Sequence, residues 1–133
     1  MRIAFIAALA PILALIAPAC ADEMLLPGEW RVERVAGAGA FDVAKTSFQF
    51  LPNGHLATTI GCNRMTGKLT IEGDRIEIGP MATTRMACPS PLDDVEMKYA
   101  AALDATRTVR VDGPRLILAN LAGEILVVFL RVD

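Results

Sequence analysis

Residues 47–78 read SFQFLPNGHLATTIGCNRMTGKLTIEGDRIEI, and they describe two consecutive hairpins. Phe48 and Phe50 alternate with Ser47 and Gln49, the period of two that turns one face of a strand toward a core. Pro52-Asn53-Gly54 then reverses the chain, Pro supplying a negative φ and Gly a positive one. Leu56 to Ile60 returns antiparallel. In the second hairpin Leu69 and Ile71 face inward, Glu72-Gly73-Asp74 turns, and Ile76 and Ile78 face inward again. Arg75 and Glu77 take the outside.

The same alternation extends upstream, where Trp30 and Val32 are interleaved with Glu29, Arg31 and Glu33. Gly37-Ala38-Gly39 ends that strand in a loop. Downstream the period changes to that of a helix. Leu92, Val95, Tyr99 and Leu103 share one face, and Asp94 and Lys98 share the other. Ser90 is the predicted N-cap, with Pro91 at the first helical position. Three further strands follow at 108–111, 115–119 and 125–130, separated by turns at Asp112-Gly113 and Gly123. The last strand, ILVVFL, is apolar on both faces and so predicts a central rather than an edge position. The expected fold is α+β: one small domain, mostly antiparallel sheet of seven to eight strands, with one helix before the last strands. A barrel-like closure is one arrangement open to it.

The chain has 133 residues, and its first 21 read as a secretory leader. Arg2 is followed by an apolar run from Ile3 to Ala17. Small residues then close the segment at Ala17, Ala19 and Ala21, and charge returns at Asp22 and Glu23. The run is shorter than the roughly 20 residues of a spanning helix, and Pro11 interrupts it. The expected organisation is therefore a signal peptide at 1–21 and a single domain at 22–133. The protein is expected to be exported to the periplasm or cell envelope. Two cleavage chemistries compete at Cys20. Ala17-Pro18-Ala19 before it makes a degenerate lipobox, whose cleavage would leave a lipid on Cys20. Ala19-Cys20-Ala21 makes an ordinary cleavage site that discards the cysteine, and this is the reading preferred. Contact with a membrane is expected only through a lipid on Cys20.

Without Arg2, twelve basic residues face fifteen acidic ones. Such a balance, with no basic run, argues against a nucleic-acid partner, since phosphates demand a clustered positive surface. A monomer is expected.

Chemistry-bearing residues are few. Cys62 and Cys88 survive either form of processing, and in an exported protein an even pair reads first as a disulfide. Two free buried thiols and a redox couple remain open, although redox pairs favour the C-x-x-C spacing. A metal site would need His55 beside both cysteines plus a fourth ligand, and His55 lacks ligand spacing and follows a hairpin turn. There is no Gly-x-Ser-x-Gly elbow for a hydrolase. Asp93, Asp94 and Glu96 fall where they would complement the helix dipole, and Asp104 reads as ordinary surface. Gly37-Ala38-Gly39 lacks the helix and lysine of a phosphate loop. No catalytic, cofactor or metal residue is assigned, and the expectation is that the protein is not an enzyme.

One stretch stands apart from this plain composition. Gly61-Cys62-Asn63-Arg64 follows a strand directly, and residues 81–88 mix polar and apolar groups just before the helix. If the cysteines pair, Asn63, Arg64, Thr84 and Arg85 become neighbours. Either Asn63 and Thr84 bond the local backbone while the arginines find carboxylates, or the four form an interaction patch for an anion or peptide.

These segments carry a resemblance. Gly61-Cys62-Asn63, Gly67, Leu69-Thr70-Ile71, Gly73 and the run Met81-Ala82-Thr83-Thr84-Arg85-Met86-Ala87-Cys88-Pro89 resemble the signature of the META domain family, which includes the heat-shock protein HslJ. Leu26-Pro27-Gly28-Glu29-Trp30 resembles the family's opening strand. Glu96, Tyr99 and Leu103 resemble its helix, and residues 116–129 its closing hairpin. Thr58-Thr59-Ile60 and Val95 depart from the common pattern by side-chain size alone. The resemblance implies a small envelope protein linked to stress tolerance, without established catalysis, cofactor or ligand. Its partner would be an unidentified envelope component. Inhibition of an extracytoplasmic hydrolase, a lysozyme or protease, is the alternative. A thiol redox role for Cys62 and Cys88 is a more distant one.

Overall fold

A computed structural model describes residues 26–132 and the single positions 4, 10 and 11. The predicted leader and Cys20 therefore lie outside the described residues. Eight strands run antiparallel and close into a barrel in simple sequence order. They are β1 (Glu29–Val35), β2 (Ser47–Leu51), β3 (His55–Thr59), β4 (Arg64–Glu72), β5 (Arg75–Thr83), β6 (Thr108–Asp112), β7 (Arg115–Ala119) and β8 (Ile125–Arg131), with one helix, α1 (Leu92–Ala105), between β5 and β6. Pairing of β1 with β8 closes the ring, Val32 lying opposite Phe129. The apolar run of β8 thus sits between two strands, as its two-faced hydrophobicity predicts.

Closure explains how so short a chain buries a large core. Trp30, Val32, Phe48, Leu56, Met65, Leu116, Leu118, Val127 and Phe129 turn inward from β1, β2, β3, β4, β7 and β8 and are almost fully buried. Phe48 packs on Phe129 with ring centres 4.5 Å apart. The indole N–H of Trp30 donates to the Leu26 carbonyl at 3.1 Å, tying the start of the domain to its core. Both hairpins turn where the sequence places them, Leu51 pairing with His55 and Glu72 with Arg75.

The long β4–β5 hairpin extends beyond its apolar core segment to an open end formed by Arg64 and Thr83. Its register slips beside Gly67, where Gly79-Pro80 supplies the extra residue of a bulge. Proline suits that position because it has no N–H to give to a ladder. Gly67 leaves room for the returning strand: a Cβ there would stand 2.6 Å from Met81 Sδ and 3.1 Å from the Pro80 carbonyl oxygen.

β5 and β6 meet at one residue pair only, Arg75 with Thr108. Past that pair α1 packs against β5 and also contacts β1 and β8. Val95, Tyr99, Ala102 and Leu103 carry the helix into the same core as the barrel residues. The deepest of them is Tyr99, whose hydroxyl meets Thr58 Oγ1 of β3 at 2.6 Å. Thr58 in turn donates to the Ser47 carbonyl at 2.7 Å, so Tyr99 is the donor in their shared bond.

The helix start differs from its prediction. Leu92, not Pro91, is the first helical residue, and Ser90 does not cap it. Pro91 occupies the cap position, after a cis bond from Ser90, and it has no side-chain donor or acceptor to offer. The Pro89 carbonyl instead receives the first free N–H groups, from Leu92 at 2.8 Å and Asp93 at 3.4 Å, and the Asp93 side chain accepts the Asp94 N–H at 2.8 Å. A backbone carbonyl thus does most of what a capping side chain does elsewhere.

Candidate functional site

The residues singled out in the sequence meet where the start of β4, the end of β5 and the start of α1 converge. Cys62 and Cys88 form a disulfide there, with Cα atoms 6.0 Å apart. Gly61 precedes it with φ +118°, a left-handed value that explains the glycine ahead of Cys62. The bridge brings the segment after β5 alongside the corner between β3 and β4, and α1 begins directly after it.

Asn63 is the centre of this junction and is 5% exposed. Its amide oxygen accepts from the Met86 N–H at 2.7 Å and from Thr84 Oγ1 at 3.1 Å. Its amide nitrogen donates to Glu96 Oε2 at 2.7 Å and lies 3.2 Å from Cys88 Sγ and 3.3 Å from the Met86 carbonyl oxygen. Its backbone N–H donates to Glu96 Oε1 at 2.9 Å. One asparagine thus joins three chain segments. The Thr84 hydroxyl also accepts the Arg64 N–H at 3.0 Å, and the Thr84 N–H donates to the Arg64 carbonyl at 3.0 Å. Of the four residues expected as neighbours, Asn63 and Thr84 are engaged in the junction by side chain. Arg64 takes part through its backbone, and its guanidinium and the whole of Arg85 face solvent. Neither arginine forms an ion pair among the described residues.

Glu96 is the residue that charge pattern alone misassigned. Asp93 and Asp94 do occupy the first helical turn, and Asp94 pairs with Lys98 at 2.8 Å. Glu96 instead points back to Asn63 and stands 3.8 Å from Cys88 Sγ. Its place one turn before Tyr99, on the face nearer the core, is the signal that separates it from the two aspartates. His55 does not join this cluster. It begins β3, opposite Lys68, at the other end of the strand from the cysteines. There it lines an apolar groove of about 430 Å³ with Leu26, Phe50 and Leu69.

On the far side of Cys62 a second cleft of about 360 Å³ opens between Phe41, Asp42 and Lys45 and the Pro91-Leu92 start of α1. A cleft of mainly apolar lining therefore lies at each end of β3, with a hydrogen-bonded junction beside the second. Among the described residues no helix is long and apolar enough to cross a membrane.

Among the described residues the architecture is a single antiparallel barrel braced by one α-helix and one disulfide, and the sequence profile of the META domain matches the chain over residues 23–133. The chain belongs to the META domain family. Solved structures share its fold. A protein from Burkholderia xenovorans, solved by NMR, is 23% identical with a TM-score of 0.63, over 96% of this chain and 99% of that one. A DUF4847 family protein from Bacteroides vulgatus is 14% identical with a TM-score of 0.61, over 84% of this chain and 98% of that one. A further NMR structure is 22% identical with a TM-score of 0.65, over 84% of this chain and 94% of that one. No curated protein matches the sequence significantly.

Proposed function

We propose that this META domain protein is a non-catalytic exported protein of the periplasm or cell envelope. It supports stress tolerance by binding or bracing other envelope components. The observation that carries this reading is the use made of the family's signature residues. Gly61, Cys62, Asn63, Thr84, Cys88 and Glu96 bond one another and the backbone, so they build a rigid corner and leave no paired nucleophile and base. A disulfide at the centre of that corner suits an oxidising compartment. The leader predicted at 1–21 supplies the route there.

The test has two parts. Residues 1–25 fused to a reporter active only outside the cytoplasm should give activity, and intact mass of the mature protein should show cleavage without lipid on Cys20. Affinity capture from envelope extracts of stressed cells should then recover a specific component. A reporter that stays inactive, or a capture that recovers only background, overturns the reading.

Inhibition of an extracytoplasmic hydrolase is the second reading. It is favoured by one feature, the projection of Arg64, Arg85 and the 57%-exposed Met86 from a disulfide-braced corner. A rigid surface of that kind loses little entropy on docking. Slowing of a lysozyme or protease at micromolar protein would support it, and an unchanged panel of both would remove it.

A further inference from the structure

Glu96 is half-buried, yet among the described residues no cation stands opposite it. Both carboxylate oxygens are met by N–H groups of Asn63 alone. The Asn63 amide has two hydrogens for three acceptors: Glu96 Oε2, Cys88 Sγ and the Met86 carbonyl oxygen. Cys88 Sγ also lies 3.8 Å from Glu96 Oε2 and 3.7 Å from the Met86 oxygen. With the bridge closed this sulfur carries no hydrogen, so neither approach is a hydrogen bond. Acceptors outnumber donors at one point inside the junction. No buried side-chain oxygen or nitrogen of the described residues lacks a partner, so a positive ion would join these acceptors rather than fill a vacancy.

The donor set is suited to one. A ligand atom from each of Cys62, Cys88 and Glu96 lies within 4.8 Å of the other two, the two sulfurs being bonded to each other, so both become ligands only when the bridge opens. Tetrahedral zinc bonds sulfur at about 2.3 Å and carboxylate oxygen at about 2.1 Å, which sets its donors roughly 3.5–3.8 Å apart. Cys88 Sγ and Glu96 Oε2 already stand at that separation. We propose that reduction of the Cys62–Cys88 bridge converts this junction into a thiolate–carboxylate site for a borderline divalent cation, zinc in particular. A dithiol delivers two electrons and two protons, the S–S bond breaks, two thiols form, and the dithiol becomes a disulfide. The cation then releases both thiol protons to solvent and takes two thiolates and the Glu96 carboxylate, with a fourth position open to water. Asn63 orients the ligands from behind. Its backbone N–H holds Glu96 Oε1, and its amide donates toward the Cys88 sulfur, which stabilises the thiolate. Closing the bridge withdraws both sulfurs, so the redox state of one bond gates the site. The inference is independent of the role proposed for the oxidised protein.

The test uses the mature protein, reduced, desalted under argon and titrated with Co²⁺ and then Zn²⁺. Reduced protein should develop a thiolate-to-cobalt charge-transfer band with tetrahedral d–d bands, and one equivalent of zinc should abolish them. The oxidised protein should stay colourless. Glu96→Gln should keep a thiolate band but bind zinc about tenfold or more weakly, and the Cys62→Ser/Cys88→Ser double variant should give no band. A reduced protein without the charge-transfer band overturns the proposal. So does Glu96→Gln binding zinc as tightly as the parent, because two thiols of a loosened chain would then suffice.

Discussion

Asn63 and Glu96, thirty-three residues apart, are joined at two points, backbone N–H to Oε1 at 2.9 Å and side-chain amide to Oε2 at 2.7 Å. The pair fastens the helix to the barrel at the corner where the disulfide also acts. Loss of its polar contacts leaves buried groups without partners, which costs more than the bonds contribute when made.

Asn63→Ala should therefore destabilise the fold by about 2–4 kcal/mol, a large effect for a single polar residue. Asn63→Asp should cost at least as much, since it sets a second carboxylate against Glu96. Urea unfolding followed by Trp30 fluorescence measures both, and a loss within experimental error of zero for Asn63→Ala would contradict the account of the junction.

The disulfide spans a sequence separation of 26. Chain entropy for a loop of that size predicts a contribution on the order of 3.5 kcal/mol. Unfolding midpoints with and without reductant should differ accordingly. The Cys62→Ala/Cys88→Ala variant should match the reduced protein and lose all sensitivity to reductant.

Tyr99 is the sole tyrosine of the chain. Burial pushes its phenol well above the ordinary 10.0, against a smaller opposing effect of the bond to Thr58. A raised folded-state value means that the neutral phenol stabilises the fold fully below pH 10 or so, the range of an unfolded tyrosine. That stability is lost as pH climbs toward the folded value, because only the unfolded chain ionises. Tyrosinate absorbance should therefore appear together with alkaline unfolding, not ahead of it. Tyr99→Phe should cost about 1 kcal/mol at neutral pH and remove the absorbance change altogether.

Gly67 and Met81 should be coupled. Gly67→Ala places a methyl group against the Met81 sulfur and the Pro80 carbonyl, and a loss of about 1–3 kcal/mol is expected. Shortening Met81 to Ala in the same protein should return part of that loss, leaving the Pro80 contact. A double-mutant cycle reads the coupling directly. Additive losses would show that the two side chains do not compete for the same space.

Most of the barrel is legible in the sequence because its information is local. Period-two alternation locates Trp30, Val32, Phe48, Ile76 and Ile78 as inward residues, and Pro, Asn, Asp and Gly locate the turns between them. Closure of the ring is not local. It rests on the match of Val32 to Phe129 across almost the whole chain, and nothing in either strand alone prescribes it. The same division holds at the junction. Glycine and cysteine announce a special corner at 61–62, but the roles of Asn63 and Glu96 depend on two segments meeting. Glu96 therefore reads as one more acid in a helical first turn until the fold brings it to Asn63. The failed Ser90 cap has the opposite cause: the local rule is sound, but Pro91 takes the cap position and the Pro89 carbonyl meets the first free N–H groups.

The single pair between β5 and β6 gives the helix a further duty. A strand with a free edge is a template on which another chain can add. β5 has such an edge beyond Arg75, and α1 lies against that strand. The clasp of Asn63 on Glu96 thus guards against self-association as well as unfolding. A molecule whose helix lifts away while its barrel stays intact would expose a strand ready to recruit its own kind, so the earliest consequence of breaking the corner would be crowding-dependent clumping of otherwise folded protein.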